Sequence, residues 1–273
     1  MLPALSQVCS LAEPFEKDIE EYAAGACRAI EIWLGKLETF LAGHSINDAR
    51  RVLEENRVTA PVASYQGGLF TAEPTARREH WNLFHKRLSY CAPLGIRTLV
   101  VAADLAKPAG EEDLENIRAT LVAAARAAQD VGVRLALEFQ ARAPFTNNLQ
   151  TAAALVYQVG SPALGICLDA FHYQVGPSKP EDLLLLDRTN LFHVQLCDLS
   201  DVLRESAADA DRILPGDGQI SLATIVERLH AIDYDGAVSV ELMNPVLWQV
   251  PARQFGEIAI TALRKTLGLA AMA

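Results

Sequence analysis

"LGICLDAF", residues 164–171, is apolar almost throughout, and its single charged residue, Asp169, comes near its end. A strand with one face in water alternates polar and apolar residues. A strand of a parallel sheet is covered on both faces and is therefore nearly continuous in apolar residues. The stretch predicts a buried parallel strand that ends in a carboxylate.

Other runs along the chain have the same character, and helical patterns lie between them. The clearest helical pattern is an apolar stripe of Leu114, Ile117, Leu121, Ala125 and Ala128 at helical spacing. With residues 164–171, the strand-like runs are ALSQVCS (4–10), CRAIEIW (27–33), VTAPVASY (58–65), RTLVVAADL (97–105), VRLALEF (133–139), LFHVQLCD (191–198) and GAVSVELM (236–243).

Eight strand–helix units in 273 residues predict an α/β fold, a (β/α)8 TIM barrel that spans 1–273 as a single domain. The alternative is a doubly wound open sheet. That fold usually has fewer strands, and a nucleotide-binding member carries a Gly-rich phosphate loop after its first strand. No such loop follows the first strand here, so the pattern favours the barrel.

The composition narrows the class of partner. Hydrophobic residues make up 51% of the chain and the formal net charge is −10, which argues against disorder and against a nucleic-acid ligand. The five cysteines form no C-x-x-C pair, the first basic residue is Lys17, and no apolar stretch is long enough for a bilayer. We expect a cytoplasmic protein with a small-molecule substrate and no membrane or nucleic-acid partner, with a homodimer as the default assembly.

Four consecutive late strands end in polar residues: Glu138, Asp169, Gln195 and Glu241. Catalytic residues of such barrels lie at the carboxyl ends of strands, and adjacent strands are only ~4.8 Å apart, so these side chains can converge. Three carboxylates at such short distances repel one another unless a cation lies among them. We therefore predict one divalent metal ion, and the all-oxygen ligand set favours Mn²⁺ or Mg²⁺ over Zn²⁺ or Co²⁺.

Each of these residues also has a plainer interpretation. Acidic residues are common at strand ends, where they cap the following helix. His193 is a rival to Gln195 as a ligand, because the two side chains point to the same face of the strand with His193 one layer deeper. We favour Gln195 as the ligand and His193 as a buried supporting residue.

Two further residues are candidates for catalysis and substrate binding. His172 follows Asp169 by three residues, so both side chains can face one pocket. Arg212 precedes a tight turn in the loop after the seventh strand, and its guanidinium suits developing negative charge on substrate oxygen. The alternatives are a loop histidine packed on Phe171 and a surface arginine paired with Asp211 or Asp217.

The pocket wall is less clearly marked. Trp33, Lys107 and Gln140 lie near strand ends or the loops after them, and we predict that they contact substrate. Trp33 is equally well explained as packing at the barrel rim. No phosphate-binding loop is evident, which favours an unphosphorylated substrate.

Several segments resemble the sugar phosphate isomerase/epimerase superfamily, the xylose isomerase-like TIM barrels. The resemblance covers nearly the whole chain and is closest to 2-keto-myo-inositol (inosose) isomerase-like proteins. The segments are AIEIWLGKLETFL (29–41), GICLDAFHYQVG (165–176), FHVQLCD (192–198), DRILPGDGQISL (211–222) and DGAVSVELMNP (235–245).

The resemblance implies a metal site and a reaction class. Many members have His at the position of Gln195, whereas hydroxypyruvate isomerases and some 3-dehydroshikimate dehydratases resemble this chain in having Gln there. The resemblance implies metal ligands at Glu138, Asp169, Gln195 and Glu241, and substrate-contacting or catalytic roles for His172 and Arg212.

The hypothesis for the chemistry is proton transfer next to a carbonyl through a cis-enediolate. Glu138 or Glu241 would act as the base, and His172 and Arg212 would stabilise the enediolate oxygens. One alternative is a dehydratase that removes the same proton and then expels a hydroxyl group. A nuclease of the endonuclease IV type is disfavoured by the acidic charge and by the lack of histidines after the second and third strands. A ligand-binding barrel without turnover is the non-enzymatic alternative.

Overall fold

A closed barrel of parallel strands forms the centre of the computed structural model, which describes residues 1–71 and 73–269. Neighbouring strands pair in chain order, and the first pairs with the last through Leu5 and Val240, which confirms the predicted TIM barrel. The strands are β1 (Leu2–Ser6), β2 (Ala29–Trp33), β3 (Thr59–Gln66), β4 (Thr98–Ala102), β5 (Arg134–Glu138), β6 (Leu164–Asp169), β7 (Leu191–Leu196), β8 (Asp198–Leu199), β9 (Arg212–Ile213) and β10 (Ala237–Val240). The short β8 and β9 form a separate antiparallel pair in the loop between β7 and β10.

Helices connect the barrel strands. Short 3₁₀ segments cover Gln7–Ser10, Pro180–Leu185, Asp209–Asp211 and Leu247–Gln249. The α-helices are α1 (Phe15–Ala24), α2 (Leu34–Leu41), α3 (Ile46–Asn56), α4 (Pro74–Leu94), α5 (Glu111–Asp130), α6 (Leu149–Val159), α7 (Ala170–Val175), α8 (Leu222–Ala231) and α9 (Ala252–Thr266). In the part of the chain that the structure describes, no helix is long and apolar enough to cross a membrane.

The barrel strands are apolar because both of their faces are covered. Every residue of β4, β6 and β7 is buried. A large core cluster joins strands to helices. A smaller one inside the barrel takes one residue from each of six strands: Val62, Val100, Ala136, Cys167, Phe192 and Ala237. This apolar floor leaves the carboxyl ends of the strands for polar side chains.

Several predicted bounds differ from the structure: the runs 97–105 and 236–243 shorten to Thr98–Ala102 and Ala237–Val240. Two further differences have a visible cause. The first strand was expected over 4–10, but β1 ends at Ser6, whose hydroxyl accepts from the backbone N–H of Val8 and starts a 3₁₀ turn. In α5 the predicted stripe is buried from Ile117 onward, whereas Leu114 is 38% exposed. Leu114 lies in the first turn of the helix, ahead of the part that packs on the barrel.

Candidate active site

The carboxyl ends of β5, β6, β7 and β10 bring together the four residues predicted from strand ends. Glu138, Asp169, Gln195 and Glu241 are all buried. Asp169 is the strand partner of Gln195, and the Gln195 Nε2 donates to Glu241 Oε1 over 2.9 Å. Ligand atoms of Glu138, Asp169 and His172 lie within 4.8 Å of one another. The strand register therefore gathers these side chains into one buried space.

Asp169 connects the strand end to the next helix and to Arg212. Its Oδ1 accepts from the backbone N–H of His172 over 2.9 Å and caps α7, and its Oδ2 accepts from Arg212 Nη1 over 2.7 Å. Burial alone would raise the pKa of Asp169, but the neighbouring Arg212 charge outweighs it and lowers the pKa to about 2. Asp169 is therefore an anion at neutral pH.

The position of Arg212 depends on the loop that carries it. Leu199 of β8 pairs with Arg212 of β9, so the chain folds back over the barrel mouth. The Asp198 carboxylate then accepts from the backbone N–H groups of Gly216 (3.0 Å) and Ile220 (2.8 Å), which fixes the turn after Arg212. As a result the guanidinium enters the barrel mouth instead of pointing into solvent.

Arg212 is fully buried, so the alternative of a surface arginine paired with Asp211 or Asp217 is wrong. Its Nη1 donates to Asp169 and, over 3.4 Å, to Glu241 Oε2, while Nε donates to Asp209 over 2.9 Å. The guanidinium lies 4.4 Å from the ring centroid of Phe171. Within the described residues its Nη2 has no hydrogen-bond partner. A buried N–H without an acceptor is costly, and a bound ligand oxygen would satisfy it.

Glu138 and Glu241 are the two active-site carboxyl groups whose ionised forms are disfavoured by burial. Burial raises the pKa of Glu138 well above its usual value, and the nearby Asp169 charge adds to this. Burial likewise raises the pKa of Glu241; Arg212 counteracts it and Glu31 adds to it. Carboxyls with raised pKa values are suited to take up and return protons near neutral pH.

The His172 ring lies near both the Phe171 ring and the active-site carboxylates. Its ring lies edge-on to Phe171 at 5.5 Å, as the packing alternative expected, yet it also lies beside Glu138 and Asp169. The backbone N–H of Ala141 donates to His172 Nδ1 over 3.4 Å, which leaves Nε2 to carry the proton of the neutral ring. Burial lowers the pKa of His172, so a neutral imidazole is favoured.

Glu31 on β2 is a site residue that the sequence analysis did not identify. It is fully buried and accepts from Gln195 Nε2 over 2.8 Å, from Ser239 Oγ and, over 2.9 Å, from His193 Nε2. Burial opposes its ionisation, but His193 and the Ser239 hydrogen bond outweigh burial and lower its pKa. The available signal was an acidic residue inside an apolar strand, AIEIW, which is the same feature that marked Glu241.

The predicted pocket-wall residues differ in what they contact. Gln140 Nε2 donates to Glu138 Oε2 over 2.6 Å, so it joins the site. Trp33 lies 5.2 Å from the ring of Tyr65 and lines two cavities of about 570 and 350 Å³. Lys107 is exposed in the loop after β4, and among the described residues no hydrogen bond or ion pair joins it to the carboxylates.

The donor set fits a divalent cation. Three carboxylates, Glu138, Asp169 and Glu241, share a buried space with one guanidinium, so negative charge is in excess unless a proton or a cation balances it. Gln195 turns its amide nitrogen toward Glu241, and its Oε1 accepts from the Cys167 thiol over 3.1 Å. A ligand role for Gln195 would use that oxygen, because an amide nitrogen is a donor.

Comparisons with known proteins agree with this fold. A family model described as xylose isomerase-like TIM barrel matches residues 20–263. A crystal structure of the IolI protein with a bound zinc atom superposes with a TM-score of 0.92 and 23% identity over 100% of both chains. At that identity the superposition supports the fold.

Curated relatives point to an isomerase. The inosose isomerase of Halalkalibacterium halodurans is 28% identical over 243 residues, 87% of this chain and 86% of the relative. Other curated relatives carry the same name, and together they support an isomerase enzyme. The 3-dehydroshikimate dehydratase of Pseudomonas putida is 32% identical over 127 residues, which are 45% of this chain and 20% of that protein.

Proposed function

This chain belongs to the xylose isomerase-like TIM barrel family, and on that premise we propose that it is a divalent-metal-dependent isomerase or epimerase of an inosose, a keto-polyol or a small sugar. The reaction is proton transfer next to a carbonyl through a cis-enediolate. The inosose isomerase relatives support the substrate class, and the site supports the chemistry.

One observation carries the proposal. Arg212 Nη1 contacts Asp169 and Glu241, and Glu138 and His172 have ligand atoms within 4.8 Å of Asp169. Two carboxyls suited to proton transfer thus flank a buried cation and a neutral imidazole. This is the set of groups that removal and return of a proton beside a carbonyl requires.

The residues divide the work by position. Glu138, held by Gln140, and Glu241, held by Gln195, are the groups that remove and return the substrate proton. The free Nη2 of Arg212 and the Nε2–H of His172 are donors for the substrate oxygens that gain negative charge. Return of the proton to the neighbouring carbon gives isomerisation, and return to the opposite face of the same carbon gives epimerisation.

Glu138, Asp169, Gln195 and Glu241 would hold the divalent cation. When bound, the cation would polarise the carbonyl and hydroxyl oxygens of the substrate and make the C–H between them more acidic. The oxygen ligands favour Mn²⁺ or Mg²⁺, and the zinc in the IolI structure makes Zn²⁺ the metal to compare with them.

A dehydratase of the 3-dehydroshikimate or inosose type is the second candidate. The observation in its favour is the 32% identity to a 3-dehydroshikimate dehydratase, although the match covers 20% of that protein. Such an enzyme would use the same proton abstraction and then lose a hydroxyl group from the neighbouring carbon. The two reactions differ in the mass of the product.

The remaining expectations complete the proposal. The partner is a small molecule, with no nucleic acid or membrane surface, and the assembly is a homodimer of single-domain chains. All five cysteines are free and buried, which supports a reducing compartment such as the cytoplasm.

The test is product analysis in D₂O. Metal-loaded protein is incubated separately with 2-keto-myo-inositol, hydroxypyruvate and 3-dehydroshikimate, and products are identified by mass and by NMR. We expect a product of unchanged composition that carries one solvent deuteron, from the inosose. Loss of water would favour the dehydratase. A product that carries no solvent deuteron would contradict proton exchange at the site.

A further inference from the structure

Glu31 lies beneath the candidate active site and contacts none of Glu138, Asp169 or Arg212 by a hydrogen bond within the described residues. It comes from β2, on the opposite side of β1 from β10. An anion that is fully buried needs donors, and the donors of Glu31 come from β7, which carries Gln195, and from β10, which Glu241 directly follows.

The Glu31 carboxylate is held at one oxygen and binds Gln195 with the other. Oε2 accepts from His193 and from Ser239, both of which are fully buried. Oε1 accepts from Gln195 Nε2 over 2.8 Å. Because Oε2 is fixed by two donors, Oε1 is a fixed acceptor that faces the Gln195 amide.

A fixed acceptor determines which way an amide faces. A half-turn of the Gln195 amide would bring its Oε1 against Glu31 Oε1, and two oxygens without a proton between them repel. With Nε2 held by Glu31 and Glu241, the only other polar atom of the side chain is Oε1. In the described residues, its contact is the Cys167 thiol at 3.1 Å, and a thiol is a weak donor that a cation can replace.

We propose that Glu31 is a positioning residue that fixes the amide of Gln195, so that Gln195 offers its carbonyl oxygen to the divalent cation and its nitrogen to Glu241. The inference rests on the proposed function, since it concerns the same metal site. Outer partners that orient a metal ligand commonly contribute 10- to 100-fold, as an order of magnitude, to metal affinity.

The experiment measures Mn²⁺ affinity of the metal-free full chain by isothermal titration calorimetry. The variants are Glu31→Gln, which keeps the size and removes the charge, and Glu31→Asp, which keeps the charge and withdraws the carboxylate from Gln195. Each is also made in a Gln195→Ala background. We expect both single variants to lose about 10- to 100-fold in affinity, and neither to lose more than about threefold once Gln195 is absent.

Three results would overturn the inference. Wild-type affinity in Glu31→Gln would show that the amide needs no anchor. Wild-type affinity in Glu31→Asp alone would show that charge, and not position, is the contribution of Glu31. An equal loss with and without Gln195 would show that Glu31 acts by another route.

The controls separate this inference from the proposed function. Asp18→Asn neutralises another fully buried carboxylate, whose side-chain partners are Ser10 and Lys36 and none of the proposed metal ligands, and it should leave Mn²⁺ affinity unchanged. Thermal unfolding and circular dichroism of every variant identify any that fail to fold, in which case Glu31→Asp replaces Glu31→Gln. If the wild-type chain binds no divalent cation, the metal-dependent function and the inference both fail; if it binds and the Glu31 variants bind equally, only the inference fails.

Discussion

Two buried polar clusters in this barrel have opposite electrostatic designs. The first, the ion-pair cluster, consists of Ser10, Asp18, Tyr22 and Lys36, beside the carboxyl ends of β1 and β2. The second is the candidate active site. Both consist of buried side chains and both contain carboxylates, yet only the candidate active site has more carboxylates than cationic side chains.

The ion-pair cluster is balanced and closed. Lys36 Nζ donates to the Ser10 carbonyl over 2.5 Å and to Asp18 Oδ2, and Ser10 Oγ donates to Asp18 Oδ1 over 2.6 Å. One anion faces one cation, and nothing else is needed. Burial raises the pKa of Asp18 to about 7 and lowers the pKa of Lys36, so both charged forms depend on each other.

The active site has three carboxylates against one guanidinium, and a donor of that guanidinium lacks a partner among the described residues. Such a cluster does not stabilise the fold as it stands. In this barrel, balanced buried charge serves structure, whereas an excess of buried carboxylates indicates a ligand.

The largest expected effect is a loss of turnover at the candidate active site without a loss of stability. Glu138→Gln and Glu241→Gln should each lower the rate of proton exchange by about 10²- to 10⁴-fold, because the base is lost. The free energy of unfolding should stay the same or rise, since burial already disfavours both charged forms. Solvent deuterium exchange and urea unfolding check this. Wild-type exchange in both variants would remove these residues from the mechanism.

In the ion-pair cluster, removal of a charged side chain should lower stability and leave turnover unchanged. Lys36→Met leaves Asp18 buried without its cation, and the free energy of unfolding should fall by about 3–5 kcal/mol. The molecules that stay folded should keep their turnover. Urea unfolding measures the first and activity per folded molecule the second. Loss of turnover with unchanged stability would reverse the assignment of the two clusters.

A divalent cation should stabilise only the unbalanced cluster. At Mn²⁺ about 100-fold above its dissociation constant, the wild-type chain should gain about 2.7 kcal/mol in stability. Lys36→Met should gain as much, whereas Glu241→Gln should gain less. Chelator should abolish the gain. Equal stabilisation of all three would place the cation outside the active site.

The ion-pair cluster should also contribute to the pH dependence of stability. The folded-state pKa of Asp18 lies above its usual value of 3.8, so the folded chain holds a proton that the unfolded chain has released. This contribution is present at low pH and is lost as pH rises, by about 2 kcal/mol between about pH 5 and 7. Compared with Asp18→Asn, the wild type should therefore lose more stability across that range. Parallel pH profiles would contradict the raised pKa.

Removal of an exposed ion pair should have the smallest effect on stability, and it serves as a baseline for the two buried clusters. Arg118 and Glu115 pair at 2.6 Å on the surface of α5, where both side chains are exposed. Arg118→Ala should change the free energy of unfolding by no more than about 0.5 kcal/mol, with turnover unchanged. A larger change would show that charge alone, without burial, accounts for the differences above.

Part of the site was predictable because strand order in a parallel barrel follows chain order. Once β5, β6, β7 and β10 are recognised, their last polar residues must meet at one end, so Glu138, Asp169, Gln195 and Glu241 follow from the sequence. Gln140 lies just after β5, and its contact with Glu138 follows from that position. Lys107 lies in a loop whose course no periodicity determines, and its contact with substrate stays a prediction.

The sequence by itself determined the barrel and its strand ends, because these depend on local apolar runs and on the order of strands. The tertiary structure decided which charges are balanced. Glu31 contacts His193, Gln195 and Ser239 from across the barrel, and Lys36 reaches Asp18 from another helix. Arg212 enters the site because Asp198 holds the loop that follows it. These contacts join residues that are separated in the chain, so they depend on how strands, helices and loops pack in the folded barrel.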